Sequence, residues 1–367
     1  ELRWPGDSPF ATAYDVVIAP DRSIIVAGMR VVEGSGTVAV VLGLAEDLSV
    51  TWAVEMEGAS PDDNVAARSL SIAEDGSIWA AGTSARNEAG EFIDQPWISR
   101  LDPTGGLQWS QVVDGPPSGE RYRDVVALPG GDAIAVGWTE LPDGTVRRLV
   151  RRHAASDGAE VWEDVEAMEQ PESVALSGTL SEEGDVVVAG WIRGAQQYRD
   201  LRLQRYDVDG LEVDTTLFSE PITSYFPRDV VMDPSQDAIA CGSVVRASAE
   251  NAMIGRFALA SATPVSWLQR IEAMGQGATG CEGLAVDPLG RVAIAGYAFN
   301  SDSSFDPLVG RLDVDGEILW SNRIVPTQGF FGDVAEGIAV EASGDLIVVG
   351  HAQDQDGAQL WVGRVRG

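Results

Sequence analysis

Short apolar runs separated by turn-forming residues recur along the whole chain. The stretch from Cys281 to Val325 shows the pattern once: four runs in which apolar residues alternate with small or polar ones are separated by Asp287–Gly290, by a polar loop at 300–306 and by Asp313–Gly316. Such alternation, broken by Gly, Asp and Pro, is typical of short antiparallel strands. Because no stretch combines a sustained 3.6-residue apolar period with helix caps, the pattern predicts very little helix.

The strand pattern repeats every 52 to 55 residues, and two kinds of marker define the period. The first is a glycine that ends an apolar run: Gly28, Gly82, Gly137, Gly190, Gly242, Gly296 and Gly350. The second is a tryptophan in the last run of a unit: Trp52, Trp109, Trp162, Trp267 and Trp320, with Asp214 in the fourth unit. Four strands per repeat of this length are typical of propeller blades rather than of helical repeats.

We therefore predict an all-β, seven-bladed β-propeller with four-stranded blades, forming a single domain over residues 1–367. The blades are expected at 13–57, 66–115, 122–166, 174–219, 227–272, 281–325 and 335–367 plus 1–8. The last unit ends after its third strand, whereas Glu1–Trp4 matches the fourth-strand sequence Glu317–Trp320. We expect Leu2–Trp4 to pair with Trp361–Val365, so that the N-terminal strand closes the last blade and hides a sheet edge. The repeated tryptophans are expected to pack between blades.

Composition narrows the range of partners. The 367 residues carry a formal net charge of −32, and all 25 basic residues are arginine. Such acidity argues against nucleic acid and against anionic membranes as partners. No apolar run is long enough to form a transmembrane helix. The chain begins at Glu1 without methionine and shows no signal peptide, which leaves export open; we expect a monomer that is extracellular, periplasmic or on the cell surface.

Two rings of side chains are expected at one mouth of the central channel, because the antiparallel inner and second strands begin and end there. The first ring holds Tyr14, Arg68, Arg123, Leu176, Arg228, Glu282 and Glu336. One residue further along the inner strands are Asp15, Ser69, Asp124, Ser177, Asp229, Gly283 and Gly337. The second ring, just after the marker glycines, holds Met29, Thr83, Trp138, Trp191, Ser243, Tyr297 and His351.

The acidic members of these rings suggest a cation site. Calcium and other hard divalent cations select clustered carboxylates, so Glu282 and Glu336, with Asp229 or Asp15, are candidate metal ligands. The alternative is that arginines and glutamates pair across the ring and keep the mouth rigid. No motif for an organic cofactor is found.

The aromatic and basic ring members are candidates for ligand binding. Trp138, Trp191 and Tyr297 are suited to stack on a sugar or another flat ligand, although such residues also serve packing at strand ends. The candidate ligand-binding residues are Tyr14, Arg68, Arg123, Trp138, Trp191, Arg228 and Tyr297. His351, expected beside Glu336, is the candidate general base, whereas a solvated histidine is the alternative. The other histidine, His153, is expected to be structural.

The two cysteines, Cys241 and Cys281, are expected at the same face of adjacent blades. A disulfide across the blade junction is compatible with this placement and would point to an oxidising compartment. Two small buried thiols are the alternative.

The repeat resembles the bacterial seven-bladed β-propeller repeats of secreted and surface proteins. The resemblance rests on Glu282–Gly290, Val292–Tyr297 and Leu312–Trp320, and it covers essentially the whole chain. It implies extracellular display or binding. At the level of the fold the chain is also similar to gluconolactonase-like and streptogramin-lyase-like propellers, which implies a divalent cation at the channel mouth.

Three functions follow as hypotheses. The first is a non-catalytic binding propeller, exported or surface-associated, that binds a small ligand, a glycan or a protein at the channel mouth. The second is a divalent-metal-dependent lactonase- or lyase-like enzyme with Glu282 and Glu336 as ligands and His351 as the acid/base. The third is a scaffold that contacts a partner through its variable loops, at 30–37, 84–94 and 300–306.

Overall fold

The computed structural model describes residues 1–4, 10–34, 36–88, 91–116, 118–167, 170–272, 277–299, 304–324, 332–354 and 357–366. These residues form 28 strands and no helix. The all-β class predicted from the alternation is therefore confirmed. The described part of the chain accordingly contains no helix that could span a lipid bilayer.

The strands follow one another along the chain with short turns between them. Those of the first half are β1 (Leu2–Trp4), β2 (Ala11–Ile18), β3 (Ile24–Val31), β4 (Thr37–Leu44), β5 (Val50–Met56), β6 (Asn64–Ile72), β7 (Ile78–Glu88), β8 (Glu91–Leu101), β9 (Leu107–Val112), β10 (Glu120–Ala127), β11 (Ala133–Glu140), β12 (Val146–His153), β13 (Glu160–Val165) and β14 (Ser173–Leu180). Those of the second half are β15 (Val186–Arg193), β16 (Arg199–Tyr206), β17 (Glu212–Phe218), β18 (Thr223–Met232), β19 (Ala238–Arg246), β20 (Ala249–Phe257), β21 (Val265–Ile271), β22 (Thr279–Val286), β23 (Val292–Phe299), β24 (Phe305–Leu312), β25 (Ile318–Arg323), β26 (Val334–Val340), β27 (Leu346–Asp354) and β28 (Gly357–Val365).

The number of separate blades differs from the prediction. Five sheets have four strands each: β10 to β13, β14 to β17, β18 to β21, β22 to β25, and the set β1-β28-β27-β26. The strands β2 to β9 instead form one eight-stranded sheet. Four-stranded propeller blades are thus confirmed, but the prediction of a seven-bladed molecule is wrong, since five four-stranded blades are separate sheets.

Polar groups at the start of β4 and β6 explain the eight-stranded sheet. Thr37 and Asn64 pair in parallel. The Thr37 N–H donates to Asn64 Oδ1 at 3.0 Å, and the Thr37 hydroxyl donates to the Val65 carbonyl at 3.1 Å. The repeat period does not predict these hydrogen bonds, because they join one sequence repeat to the next through residues that are not repeat markers.

The chain divides into two compact units. The first unit contains Glu1–Ala175 and Gln359–Val362, and the second contains Leu176–Ala358 and Gly363–Gly367. In the first unit β1 pairs antiparallel with β28, with Leu2 opposite Val362 and Trp4 opposite Leu360. The predicted pairing of the N-terminal strand with the last strand is therefore present, in a register that begins at Leu360.

Ion pairs between the third strand and the first turn recur from blade to blade. An arginine of the third strand contacts an acidic residue in the turn that joins the first two strands of the same blade. The pairs are Arg100–Asp75, Arg152–Asp132, Arg205–Asp185, Arg256–Asp233, Arg311–Asp287 and Arg364–Glu341, with N···O distances between 2.5 and 3.6 Å. The Arg311–Asp287 pair is the most buried of the six, with both side chains at most 3% exposed. These contacts give much of the chain's arginine a structural role.

The fourth-strand tryptophans pack on glycines of a neighbouring turn. Gly316 has φ +81°, a region that favours glycine, and a Cβ added there would lie 2.5 Å from the Trp267 ring. The Trp267 indole N–H donates to the Val314 carbonyl of the same turn at 3.2 Å. Trp52 packs on Gly105 in the same way. The predicted packing role of these tryptophans is confirmed at these positions.

A buried polar network surrounds His153 in the first unit. Its Nδ1 lies 2.7 Å from the Gly158 carbonyl and its Nε2 lies 2.8 Å from the Tyr122 hydroxyl. Burial lowers the pKa of His153 to about 4. The neutral ring therefore donates from Nδ1 and accepts at Nε2, and the prediction that His153 is structural is confirmed.

Cys241 and Cys281 form a disulfide between β19 and β22. Their Cα atoms are 5.8 Å apart, and both residues are buried in the same apolar cluster as Ile239, Ile254 and Ile294. The bridge predicted as possible from the placement of the two residues is present, within the second unit.

Candidate functional site

The first-ring residues lie at β-bulges. In six inner strands the ladder skips one residue, and that residue is the ring member: Tyr14, Arg68, Arg123, Arg228, Glu282 and Glu336. A bulged residue has no partner across the ladder, so its side chain is aimed independently of the strand's alternation. The equivalent positions identified from the repeat thus coincide with the bulges, although the sequence gave no sign of the bulges themselves.

The marker glycines accommodate the bulges. A Cβ added at Gly296 would lie 2.0 Å from the Gly280 carbonyl oxygen, and one at Gly82 would lie 2.0 Å from that of Ala66. The inner strand and its neighbour approach so closely at the bulge that no side chain fits between them. This close approach explains why a glycine recurs at the equivalent position of each repeat.

The aspartates that follow the bulges tie neighbouring inner strands together. In the first unit the Asp15 carboxylate accepts hydrogen bonds from the N–H groups of Val16 and Leu70, both at 2.7 Å. The Ser69 hydroxyl, beside Leu70, donates to Asp124. Asp15 and Asp124 thus accept hydrogen bonds from backbone N–H groups next to the bulges, which is a structural role.

Asp229 has the same role in the second unit. Its carboxylate accepts from the Ser177 hydroxyl at 2.9 Å and from the N–H groups of Val230 and Leu284 at 2.8 and 2.7 Å. At the next inner strand Gly283 replaces the aspartate, since a Cβ there would lie 2.8 Å from the Glu336 carbonyl oxygen. The inner strands β22 and β26 are therefore close together at this point.

Asp15 has a strongly perturbed acidity. Burial, reinforced by the nearby Asp124 carboxylate, raises the pKa of Asp15 from 3.8 to about 7. A carboxyl whose pKa is higher in the folded chain stabilises the fold fully below its unfolded pKa. That contribution is lost as pH rises toward the folded value.

We predict that the Asp15→Asn variant does not lose stability in this way as the pH rises. Relative to the parent, the variant should gain on the order of 4 kcal/mol in free energy of unfolding between about pH 4 and pH 8, at about 1.4 kcal/mol for each pKa unit. Denaturant titrations at a series of pH values measure this difference. Asp21→Asn is the control, because hydrogen bonds from Ser23 lower the pKa of Asp21 and its removal should change the pH dependence in the opposite sense. Parallel profiles for Asp15→Asn and the parent would contradict the prediction.

Arginines cover most of the ring aromatics. In the first unit the Arg68 guanidinium lies 3.9 Å from the centroid of Tyr14, and that of Arg121 lies 5.4 Å from Trp138. In the second unit Arg199 lies 4.5 Å from Trp191, which is 8% exposed. These cation–π contacts cover one face of each ring, including Trp138 and Trp191, which were predicted to stack on a ligand.

A cavity of about 460 Å³ opens in the second unit beside Tyr297. Tyr297, Phe299 and Phe305 form its aromatic wall, with Ala278 and Val334 completing the apolar surface. Phe305 meets Tyr297 and Phe299 edge-on, at centroid distances of 5.3 and 4.9 Å. We refer to it as the Tyr297 cavity. Its volume is typical of sites for small molecules.

Three carboxylates line the same cavity: Glu250, Glu282 and Glu336. The Tyr297 hydroxyl donates to Glu250 Oε1 at 3.0 Å, and burial together with Glu250 raises the pKa of Tyr297 to about 12. Glu282 Oε2 lies 3.5 Å from Arg228 Nε. Predicted ring members from both rings, Glu282, Glu336 and Tyr297, are thus brought together in one cavity.

His351 lies beside Glu336, one of the three carboxylates of the Tyr297 cavity. Its Nδ1 is 3.6 Å from Glu336 Oε1, as the ring positions predicted. Burial lowers the pKa of His351 below its ordinary value. The imidazole is therefore neutral near pH 7 and able to accept a proton, although its role as a general base stays a prediction.

Several residues predicted to hold a cation already have partners. Asp15 and Asp229 are bound to backbone N–H groups, and Glu282 contacts Arg228. Within the described ranges, no group of three or more His, Cys, Asp or Glu side chains is placed to hold a metal ion. The assignment of Ca²⁺ or another divalent cation to these residues stays a prediction from the sequence.

The cavity contains residues that sequence reasoning missed. Glu250 lies in β20, outside both rings, and nothing in the repeat marks it. Phe299 and Phe305 are paired across β23 and β24. Phe305 was assigned to the variable loop at 300–306 but begins β24, and the closeness of the two aromatics in sequence was the signal available. Trp191 was predicted as part of the same platform, but it does not line the cavity.

Comparison with known proteins gives the fold and no family. No protein-family model matches the chain, and no curated protein matches it. Among solved structures it is similar to a polysaccharide lyase of family PL25, an ulvan lyase, with 8% identity, a TM-score of 0.60 and coverage of 97% of this chain and 94% of that chain.

Two further structures have similar coverage. Drosophila plexin A in complex with semaphorin 1b shows 9% identity and a TM-score of 0.55 over 99% of this chain and 86% of that chain. A protein of unknown function from Dyadobacter fermentans shows 14% identity and a TM-score of 0.52 over 98% and 95%. At such identities the similarity shows a propeller-type fold alone.

Proposed function

We propose that this protein is a non-catalytic binding protein, exported or attached to a cell surface, that takes a small molecule in the Tyr297 cavity. The observation that carries the proposal is the cavity itself, in which an aromatic wall faces three carboxylates. Ligand sites commonly combine apolar and aromatic walls with a few polar groups that fix orientation. The disulfide supports the location, because such bonds persist in oxidising compartments.

Filling the cavity tests the proposal. A thermal-shift screen with monosaccharides, disaccharides, amino acids, alkylamines and short carboxylic acids, followed by calorimetry on the hits, should yield at least one saturable ligand. Ala278→Leu places three extra carbons against the cavity and should abolish that binding. Ala59→Leu, at an exposed position of the first unit, is the matched control and should leave it unchanged. No hit, or hits that survive Ala278→Leu, would overturn the proposal.

A second candidate function is acid–base catalysis by His351. The observation that favours it is the proximity of the His351 ring to Glu336 beside the cavity, with Nδ1 3.6 Å from Oε1, since a general base needs a carboxylate or another polar group close by. We propose lactones and uronic-acid polysaccharides as the substrates to test, with and without calcium. Ring opening or release of unsaturated ends that disappears in His351→Ala would support it. Equal rates in the variant would exclude this role.

A further inference from the structure

The polar side chains that line the Tyr297 cavity have partners within the chain. Polar atoms lie 3.0, 3.5 and 3.6 Å apart in the pairs Tyr297–Glu250, Glu282–Arg228 and Glu336–His351. Glu282 and Glu336 each take part in a further interaction as well. The contacts of these carboxylates are therefore made by the protein itself, and the carboxylates do not define the ligand.

The rest of the lining is apolar and is held by hydrogen-bonded backbone. Phe299 and Phe305 are paired across β23 and β24. The Phe299 N–H donates to the Ala278 carbonyl at 2.7 Å, so the residue that precedes β22 is fixed beside the same hairpin. Val334, the first residue of β26, completes the apolar surface. The apolar wall is therefore part of the strand framework of the second unit.

The three aromatic rings of the wall are steeply inclined to one another. Phe305 makes interplanar angles of 87° with Tyr297 and 61° with Phe299, at centroid distances of 5.3 and 4.9 Å. Each of the three side chains is only partly buried. Rings that meet edge-on leave faces that a further ring can cover, and aromatic pairs prefer offset or edge-to-face contacts. A flat aromatic molecule is therefore suited to complete this cluster.

Charge and hydrogen bonding favour a neutral ligand in this cavity. An anion would be repelled by the three carboxylates. A sugar would place hydroxyl groups against aromatic and aliphatic carbons, and buried polar groups without partners are costly. A cationic head group would lose hydration and would have to compete for carboxylates that already have partners. Removal of apolar surface from water, on the wall and on the ligand, is the favourable contribution that remains.

We propose that the Tyr297 cavity binds a neutral aromatic molecule of one or two rings. Its ring lies against Phe299, Phe305 and Val334. This inference rests on the proposed function, because it names the chemical class of the molecule that the cavity takes. It goes beyond that function in ranking sugars, anions and cations below neutral aromatic molecules in affinity.

Displacement of a fluorescent dye tests the class of ligand. N-phenyl-1-naphthylamine, a neutral aromatic dye whose emission rises in apolar surroundings, should bind saturably at one site in about 150 mM NaCl, which screens the overall charge. Three competitors share one ring system and differ in charge at neutral pH: 2-naphthylmethanol, 2-naphthylmethylammonium and 2-naphthoate. The alcohol should displace the dye at a concentration about tenfold lower than either ion, and glucose should not displace it. Equal or stronger displacement by an ion would overturn the inference.

Two substitutions in the wall locate the dye. Phe305→Leu keeps an apolar side chain but removes a ring, and it should weaken dye binding about threefold to tenfold. Phe92→Leu makes the same exchange at an exposed position of the first unit and should leave the affinity unchanged. Val334→Thr keeps the shape of the side chain and adds a hydroxyl to the wall, so it should weaken binding several-fold and decides the matter if Phe305→Leu does not fold. Parent-like affinity in the folded cavity variants would place the dye on another apolar surface and would overturn the inference.

The outcomes separate this inference from the proposed function. The dye and its competitors are added to the ligand screen, so a probe whose binding is abolished by Ala278→Leu counts as a hit there. If a sugar, an amine or an acid binds in the cavity and the neutral aromatic probes do not, the binding function stands and the aromatic class is wrong. If nothing binds in the cavity, both fail. If 2-naphthylmethanol binds and Ala278→Leu abolishes the binding, both are supported.

Discussion

Replacing Asp287 by alanine is expected to destabilise the protein by about 3–5 kcal/mol, as measured for other buried ion pairs that lose one partner. Arg311 Nη2 lies 2.5 Å from Asp287 Oδ2, and both side chains are at most 3% exposed. Nη1 of the same arginine donates to the Gly344 carbonyl at 2.8 Å. Without the carboxylate, a guanidinium would stay buried beside one neutral acceptor.

The Asp287 carboxylate also organises its turn. Its Oδ1 accepts from the N–H groups of Leu289 and Arg291, both at 2.9 Å. Asp287→Asn keeps an acceptor for these donors but removes the charge that faces both Arg311 and Arg291, so its cost isolates the effect of the charge. Free energies of unfolding from denaturant titrations measure both variants.

A related pair near the surface provides the control. Arg205 Nη1 lies 3.3 Å from Glu183 Oε2, but the Glu183 side chain is 74% exposed. Glu183→Ala should therefore change stability by less than ~1 kcal/mol. If Asp287→Ala costs no more than Glu183→Ala, burial does not control the strength of these ion pairs, and the prediction is wrong.

Removing the disulfide is expected to have a comparable effect. Cys241 and Cys281 are 40 residues apart in sequence, and loop-closure entropy for a bridge of this span corresponds to about 4 kcal/mol of stability. The double variant Cys241→Ala, Cys281→Ala should lose this amount in denaturant titrations. Because both cysteines are at most 1% exposed, the folded parent should react slowly with reducing agents.

A thiol assay determines the state of the bridge independently of stability. The parent, denatured without reductant, should show no thiol that can be alkylated, since Cys241 and Cys281 are the two cysteines of the chain. After reduction it should show two. Alkylation of both residues without reductant would contradict the disulfide and would remove the support that it gives to an exported protein.

The sequence allowed the strand pattern to be predicted because tight packing repeats in every unit. Gly296 is required where a bulge brings a carbonyl close, and Trp267 is required above the glycine of a turn. Both requirements depend on the local backbone, which is the same in each repeat, so glycine and tryptophan recur at these positions. The joining of β4 to β6 through Thr37 and Asn64 leaves none, because it occurs once, and the blade count was wrong for this reason.

The site could be predicted only in part. The repeat alignment assigned Glu282, Glu336 and Tyr297 to the two predicted rings, and the structure brings them into one cavity. The sequence did not indicate that Arg199 would cover Trp191, since the direction of a long side chain depends on neighbours from other strands. Nor did it distinguish Asp229, which binds backbone N–H groups, from the glutamates that face the cavity.

The bulges have a consequence for protein engineering. A residue without a partner across the ladder can be exchanged without shifting the strand register, and the chain already carries tyrosine, arginine and glutamate at such positions. Glu282 and Glu336 therefore form a natural pair for a combinatorial library. Randomising them would generate new binding specificities on a scaffold whose glycines, tryptophans and buried ion pairs remain untouched.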